Sequence, residues 1–355
     1  MTTVSLAWLD DAITAIFEAA GLSTQAARTV AGVLTEADAS GVPSHGAMLV
    51  PMYIKRIQAG SVSTADKAEV VHSFGAVTVL DAGNALGAVT GRQAMDLAVE
   101  SAREHGLGAV AVRHAFHFGQ ALPYARQAGA AGMIGIAMSN TRPLMPAPGG
   151  AQTVVGNNPL AVCVPVGSPG EGEEQQYFGL DMALSAAALG KIRLAEAEGR
   201  EIPDSWAVAA DGSPTTDATA AIAGMLLPMA GPKGFGLALT VDILSGILSG
   251  GSYGNRVAGL YKNMDQPNDC AHFFLAIDPA AFGGREEFLE RTADLASQVT
   301  GSAKAPGVER VVLPGQFEQD KRDAAKAGGV RLEDSVLQGL RDAAAEVGAT
   351  LPEIA

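Results

Sequence analysis

The 355-residue chain has only two cysteines, Cys163 and Cys270, far apart and outside any CxxC pair. That excludes a disulfide scaffold or a cysteine-rich zinc site and fits a reduced, cytoplasmic protein. Basic residues are scarce: 24 Lys and Arg stand against 38 Asp and Glu, a net charge of -14. The average surface repels a polyanion, so no nucleic-acid partner is expected. Long apolar runs are also missing. The most apolar stretch, 222–251, is interrupted by Pro228, Pro232, Lys233 and Asp242, and a membrane-spanning helix needs ~20 apolar residues. Asp10 and Asp11 lie in the opening segment, where an export signal carries basic residues, so export by that route and a membrane partner are not expected. No strand leads into GxGxxG, and GxxxxGK[ST] does not occur. The ordinary Rossmann and P-loop readings therefore have no support.

What is present is ample core material, 48% hydrophobic residues, and 43 glycines spread without a fixed period. At roughly 150 residues per domain the length predicts about two structural units. Apolar residues at helical spacing predict a helix from Ser5 to Gly21 with Ser5 as N-cap, a second from Ser23 to Gly41, and a third over about Ala47 to Ala59. Short β-like runs follow at Val77–Leu80, Ala109–Val112, Ile134–Met138, Val162–Val166, Tyr177–Leu180 and His272–Ile277, with helical patterns at Gly91–His105 and Leu122–Ala131 between them. This alternation predicts an α/β unit over 71–284 whose sheet is parallel or mixed. Residues 1–70 form a helical segment joined by a second one at 285–355, with helices at Glu286–Val299 and Leu332–Val347 around a Pro/Gly stretch, Ala305–Gly315. EGEEQQ at 171–176 reads as a solvated loop.

Several polar clusters carry candidate chemistry. Ser44-His45-Gly46 precedes the third helix, where the positive dipole end favours a neutral imidazole; His45 is a candidate general acid/base with Ser44 or an aspartate as its partner, or simply the neighbour of a cap. His114 and His117 form an HxxH after a strand, but zinc needs further ligands that no spacing supplies. Ser139-Asn140-Thr141-Arg142 closes a strand, the usual place for ligand groups in α/β proteins, and equally a turn. Asp181 lies where the strand Tyr177–Leu180 runs into a helix expected to continue to Gly190-Lys191, and capping that helix is its default role. The segment Leu226 to Gly236 places glycines and Lys233 at a helix start; a phosphate site and a packing loop both fit it.

Taken in order, SHGAMLVPMYIKRIQAG, HFG at 117–119, Asn140 with PGG at 148–150, GNNPLAVCVP, DMALS at 181–185 with Gly190-Lys191, EIPDSWAVAADGSPTTD, PKGFGLAL and LPG at 313–315 resemble the malate/L-lactate dehydrogenase family that lacks the Rossmann fold. The resemblance covers nearly the whole chain. It implies a homodimer, a helical layer built from both chain ends, and a central non-Rossmann α/β domain that binds NAD(H) or NADP(H). It implies that His45 gives the proton, with Ser44 and Asp181 as partners. It further implies that the dinucleotide is contacted by His117 and Gly119, by Gly179, Leu180, Asp181, Met182, Ala183, Leu184 and Ser185, by Pro232, Lys233 and Gly234, and by Gly315 and Gln316. The expected activity is hydride transfer between the cofactor and a 2-oxo/2-hydroxy acid pair. Reduction of a cyclic 2-imino acid such as piperideine- or pyrroline-2-carboxylate is the close rival, because a C=N carbon accepts hydride in the same geometry. A zinc hydrolase using His114, His117 and Asp181, or a dinucleotide-binding dimer without turnover, would be a different class. Two departures stand out. Many relatives have an arginine four residues after the histidine, where this chain has Leu49, and PGE near the C-terminus is here Pro314-Gly315-Gln316. With Leu49 unable to hold a carboxylate, Asn140, Thr141 and above all Arg142 are the candidate substrate contacts, with Lys55 and Arg56 as weaker rivals.

Overall fold

A computed structural model describes residues 1–170 and 174–354; residues 171–173, half of the EGEEQQ loop, lie outside it. The chain opens with strand β1 (Thr2–Val4), then α1 (Leu6–Ala19) and α2 (Thr24–Ala39). Both helices start where a serine side chain takes an orphan N–H: Ser5 Oγ accepts from Trp8 N at 3.1 Å, and Ser23 Oγ from Ala26 N at 3.2 Å. Leu9, Ile13, Ile16 and Phe17 of α1 are fully buried, each contributing on the order of 1.5–3 kcal/mol through the apolar surface it removes from water.

The third helix is shorter than its sequence pattern suggests. Single 3-10 turns at Pro43–His45 and Ala47–Leu49 come first, and α3 spans only Val50–Gln58. There follow β2 (Glu69–Phe74), β3 (Val77–Asp81), α4 (Gly87–His105), β4 (Leu107–Ala115), α5 (Leu122–Ala130), β5 (Ile134–Ser139), β6 (Met145–Pro146), β7 (Thr153–Val155), β8 (Leu160–Val166) and β9 (Gln176–Met182). Then come α6 (Leu189–Ala197), β10 (Ala207–Val208), α7 (Ala218–Ala223), β11 (Met225–Leu226), α8 (Pro232–Asp242), β12 (Cys270–Ile277), α9 (Arg285–Thr300), α10 (Gln316–Gly328), β13 (Val330–Leu332) and α11 (Asp334–Val347).

The main sheet has seven strands in the order β2-β3-β4-β12-β5-β8-β9. It is mixed: β3 and β4, joined by α4, run parallel, and every other neighbouring pair is antiparallel. A connection between parallel neighbours must cross over, and α4 makes that crossover from β3 to β4. β12 arrives late in the chain and inserts between β4 and β5. Helices α4 and α5 lie so close on one face that a Cβ at Gly108 or Gly135 would overlap the carbonyl oxygens of Ala98 and Ala125. The chain ends meet: β1 pairs with β13 antiparallel, and α11 packs on α1 and α3. One buried apolar cluster runs from the terminal helices into the sheet, joining Leu9 and Leu340 to Val112 and Phe274.

Candidate active site

The turn after α2 places His45. Gly46 N closes it by donating to Pro43 O, and Ala47 N donates to Asp38 Oδ2 at 2.7 Å. Gly46 has no substitute there, since a Cβ would overlap the Asp38 carboxylate. Burial pushes Asp38 up to about 6, with the Ala47 N–H opposing it. Ser44 Oγ lies 2.9 Å from His45 Nδ1, so the expected Ser44–His45 contact is present. Burial lowers the His45 pKa. The neutral imidazole is thus favoured by desolvation rather than by a helix dipole, because the α-helix begins only at Val50.

The loop after β4 brings in a second imidazole. His117 and His45 lie 5.7 Å apart between ring centroids. His117 Nδ1 is 2.6 Å from the Tyr53 hydroxyl, and its pKa is driven down to about 3 by burial, then by His45 and His272. Gly119, in the left-handed region at φ 76, packs its α-carbon near Val33 and the His45 carbonyl. Behind them Phe118 stacks on His272 at 4.5 Å. His272 is fully buried, with Nε2 3.6 Å from Cys270 Sγ and Nδ1 without a partner. His114 departs from the HxxH reading: at φ 48 it turns to Asp269, its Nδ1 2.9 Å from Oδ1. Among the described residues no group of three or more His, Cys, Asp or Glu could hold a metal ion, so the donor set of the zinc alternative does not assemble.

Asp181 corrects the sequence reading twice. It belongs to β9 rather than to a following helix, for residues 183–188 are not helical and α6 begins at Leu189. It is not bonded to His45; its Oδ2 accepts from Leu122 N at 2.9 Å at the start of α5. Burial raises its pKa to about 6, with the Leu122 N–H, the Gln120 side chain and the Ala121 N–H opposing. Gln120 is buried, and its Oε1 has no hydrogen-bond partner among the described residues, an unpaired acceptor on a side chain that bonds Asp181.

The expected dinucleotide contacts separate onto two cavities. One of about 250 Å³ is lined by Leu122, Arg126, Gly179, Gly315, Gln316 and Arg322 among others; Gly179 N donates to Pro314 O at 2.9 Å, and Gln316 Nε2 donates to Asp320 Oδ1 at 2.9 Å. The other, about 290 Å³, lies between 146–151 and the start of α8, with Gly231 and Pro232 in its wall. Between them Leu184 and Ser185 are buried; Leu184 N donates to Asn157 O at 2.7 Å, and Ser185 Oγ to Ala187 O at 2.9 Å. Gly234 is a packing residue, its α-carbon against the Met229 carbonyl. Lys233 is exposed beside a helix start whose Gly231 and Gly236 leave open space. That cradle and the orphaned Gln120 oxygen suit a dinucleotide's phosphates and an amide N–H respectively.

Of the expected substrate residues, Asn140 is engaged within the fold. Fully buried, it donates to Asp242 Oδ1 and Ser252 O, both at 2.8 Å, and accepts from Ala271 N at 2.7 Å. Thr141 is engaged too, its Oγ1 donating to Asn157 Oδ1 at 2.9 Å. Arg142 is exposed and, among the described residues, carries no hydrogen bond or ion pair; partial burial of its side chain, and then Arg193, lower its pKa. Arg56 is buried and directed at carbonyls, and Lys55 is exposed. Tyr53, Asp38 and Gln120 were not singled out by sequence pattern. Nothing in their spacing marks them, since each acquires its role through a partner on another element.

Residues 4–341 match the family model described as malate/L-lactate dehydrogenase. The ureidoglycolate dehydrogenase (NAD(+)) of Escherichia coli (strain K12) is 36% identical over 321 residues, 90% of each chain. The structure of sulfolactate dehydrogenase from Methanocaldococcus jannaschii superposes with a TM-score of 0.91 at 33% identity, covering 99% of this chain and 98% of that one. Delta1-piperideine-2-carboxylate reductase from Pseudomonas syringae gives 0.85 at 28% identity, covering 97% and 100%.

Proposed function

The chain belongs to the malate/L-lactate dehydrogenase family and is an NAD(P)-dependent oxidoreductase of hydroxy acids, and from that premise we propose that His45 moves the proton in the reversible oxidation of a small 2-hydroxy acid. The observation that carries this reading is the meeting of His45 and His117, two imidazoles from distant segments with their Nδ1 atoms engaged by Ser44 and Tyr53. Both Nε2 atoms remain for substrate.

A bound nicotinamide dinucleotide supplies or receives the hydride. Gly179, Gly315 and Gln316 on one side, and Pro232, Lys233 and the start of α8 on the other, would hold it. In the oxidative direction neutral His45 takes the hydroxyl proton, and the burial that lowers its pKa keeps it neutral at pH 7. In reduction the imidazolium returns that proton to the oxygen, and Ser44 keeps the ring oriented. Asp181 supports α5 rather than His45. Arg142, the uncommitted cation at the Asn140 end, is the group offered to the substrate carboxylate.

The likeness to the piperideine-2-carboxylate reductase supports a second reading in which the same proton goes to an imine nitrogen. A panel of 2-oxo acids and cyclic 2-imino acids, followed at the nicotinamide absorbance with NADH and with NADPH, decides between them. Turnover of an oxo acid is expected; turnover of imino acids alone would replace the first reading by the second. The protein is further proposed to be a homodimer. Leu239, Ile243, Ile247 and Leu248 lie exposed along α8 and its continuation, an apolar stripe that supports a second copy, and sedimentation equilibrium measures the mass.

A further inference from the structure

Tyr53 lies in α3, eight residues beyond His45, with 1% of its surface exposed. Its ring stands edge-on to Phe17 at 6.4 Å and to Phe116 at 5.1 Å, so the phenol cannot swing away. Its oxygen reaches one side-chain partner among the described residues, Nδ1 of His117 at 2.6 Å. Burial raises the Tyr53 pKa well above the ordinary phenol value, so the group keeps its proton. A neutral imidazole has one donor nitrogen and one acceptor. If the phenol oxygen accepted from an Nδ1–H, its own buried O–H would have no acceptor among the described residues, so the phenol donates to Nδ1 and the ring proton sits on Nε2.

We propose that Tyr53 is a positioning residue that locks His117 in the Nε2–H tautomer, making His117 a fixed neutral hydrogen-bond donor to the reacting oxygen while His45 alone carries the transferred proton. The tautomer stands on geometry; its use in catalysis rests on the hydroxy acid reading above. Protonating His117 would set an Nδ1–H against the phenol O–H and force that hydroxyl to turn away. The titratable groups around His117 offer no relief: His45 comes from the turn after α2, Tyr53 from α3 and His272 from β12, and both histidines oppose a second positive charge. Among the described residues no carboxylate is bonded to it. The two imidazoles are therefore unequal by construction: one carries the transferred proton and the other stays neutral near pH 7.

The full chain, labelled with ¹⁵N-histidine and free of substrate, tests this through long-range ¹H–¹⁵N correlations. His117 is expected to show the Nε2–H pattern, unchanged between about pH 5.5 and 8, and to be assigned by its response to Tyr53→Phe. That variant keeps the ring packing and removes only the hydroxyl. Its His117 signal should become a mixture of tautomers, and kcat should fall about 10- to 100-fold, as when a partner that fixes a histidine tautomer is lost, with KM nearly unchanged. An Nδ1–H pattern for His117 in the unmodified protein overturns the proposal, and so does a Tyr53→Phe enzyme with the original spectrum, kcat and pH profile. If the unmodified protein turns over no hydroxy acid while the Nε2–H pattern is found, the functional reading fails and the tautomer assignment survives.

Discussion

Arg56 and His45 lie close together in sequence, yet the fold treats their hydrogen-bonding capacity in opposite ways. Every Arg56 nitrogen is occupied: Nε donates to Leu260 O at 3.0 Å, Nη1 to Gln266 O at 2.7 Å and Ser61 Oγ at 3.2 Å, and Nη2 to Gly259 O at 2.8 Å and Lys262 O at 3.2 Å. The guanidinium is fully buried, no carboxylate among the described residues is bonded to it, and it acts as a hub that ties the 259–266 loop to α3. Asn140 is committed in the same manner. Among the described residues His45 and His117 each use one ring nitrogen, Gln120 keeps an unpaired oxygen, and Arg142 has no hydrogen-bond or ion-pair partner. A ligand can be recognised only by polar capacity the fold has not used, so a side chain whose capacity is fully committed is a poor ligand group whatever its polarity or position at a strand end.

If that contrast is sound, replacing each side chain damages a different property. His45→Ala removes the proposed proton carrier and is expected to lower turnover by about 10²- to 10⁴-fold with little change in melting temperature or dinucleotide affinity. Near-normal turnover in the folded variant would take His45 out of the mechanism. Arg56→Met should do the reverse, strip buried carbonyls of their donors and cost about 3 kcal/mol or more of folding free energy. Chemical denaturation reads this directly, and an unchanged midpoint would make Arg56 a spectator.

The same contrast shows what could be read in the residues beforehand. Ser5 and Ser23 announce α1 and α2 because a cap and an apolar stripe are local features. The pairing of strands is not local: the run Val77–Leu80 fits a parallel or antiparallel neighbour equally, and the lodging of β12 between β4 and β5 depends on contacts over 130 residues. β2 escaped notice because Glu69–Phe74 is exposed throughout and shows no buried face. α10 did so because QFEQDKRDAAKAG carries few apolar residues. Commitment is the least local property of all. Arg56 finds its carbonyls more than 200 positions away, and Asn140 its partners more than 100 away, so a strand-end asparagine that resembles a ligand group turns out to be a brace. The motif residues His45, His117 and Gly119 did come together, since their blocks lie where two turns face each other.

His272 sharpens the contrast from the buried side, its Nδ1 unpartnered among the described residues. It is fully buried, stacked on Phe118, and driven down to about 3 by burial. An unfolded histidine titrates near 6.5, so the unfolded chain takes up a proton that the folded chain refuses. The stability this group supports is complete above about pH 6.5 and is lost as the pH falls from there toward 3, at about 1.4 kcal/mol per pH unit. His117, also driven down to about 3, adds to the same acid limb. His272→Phe keeps an aromatic ring against Phe118 and removes the titration. Its melting temperature should fall less steeply between about pH 6.5 and 4 than that of the unmodified protein, and parallel curves would show that His272 is not held neutral.

The smallest expected effect concerns Arg142, and it tests the uncommitted side. Leu49 is buried, 2% exposed, and cannot meet a carboxylate. Arg142 is exposed at the end of the β5 segment, its Cδ 3.1 Å from where a Cβ on Gly259 would stand, which places it beside the loop that Arg56 anchors. A guanidinium with two donors free can grip a carboxylate with paired hydrogen bonds, and a charged hydrogen bond is worth about 1.5–3 kcal/mol. Arg142→Leu should therefore raise the KM for the 2-oxo acid by about 10- to 100-fold. The dinucleotide Kd should be almost unchanged, because the two proposed dinucleotide cavities do not include Arg142 in their walls. The variant should fold as well as the original, having lost no internal bond. An unaltered KM would assign the substrate carboxylate to backbone N–H groups and leave Arg142 as a solvated cation, showing that unused capacity is necessary for recognition without being sufficient.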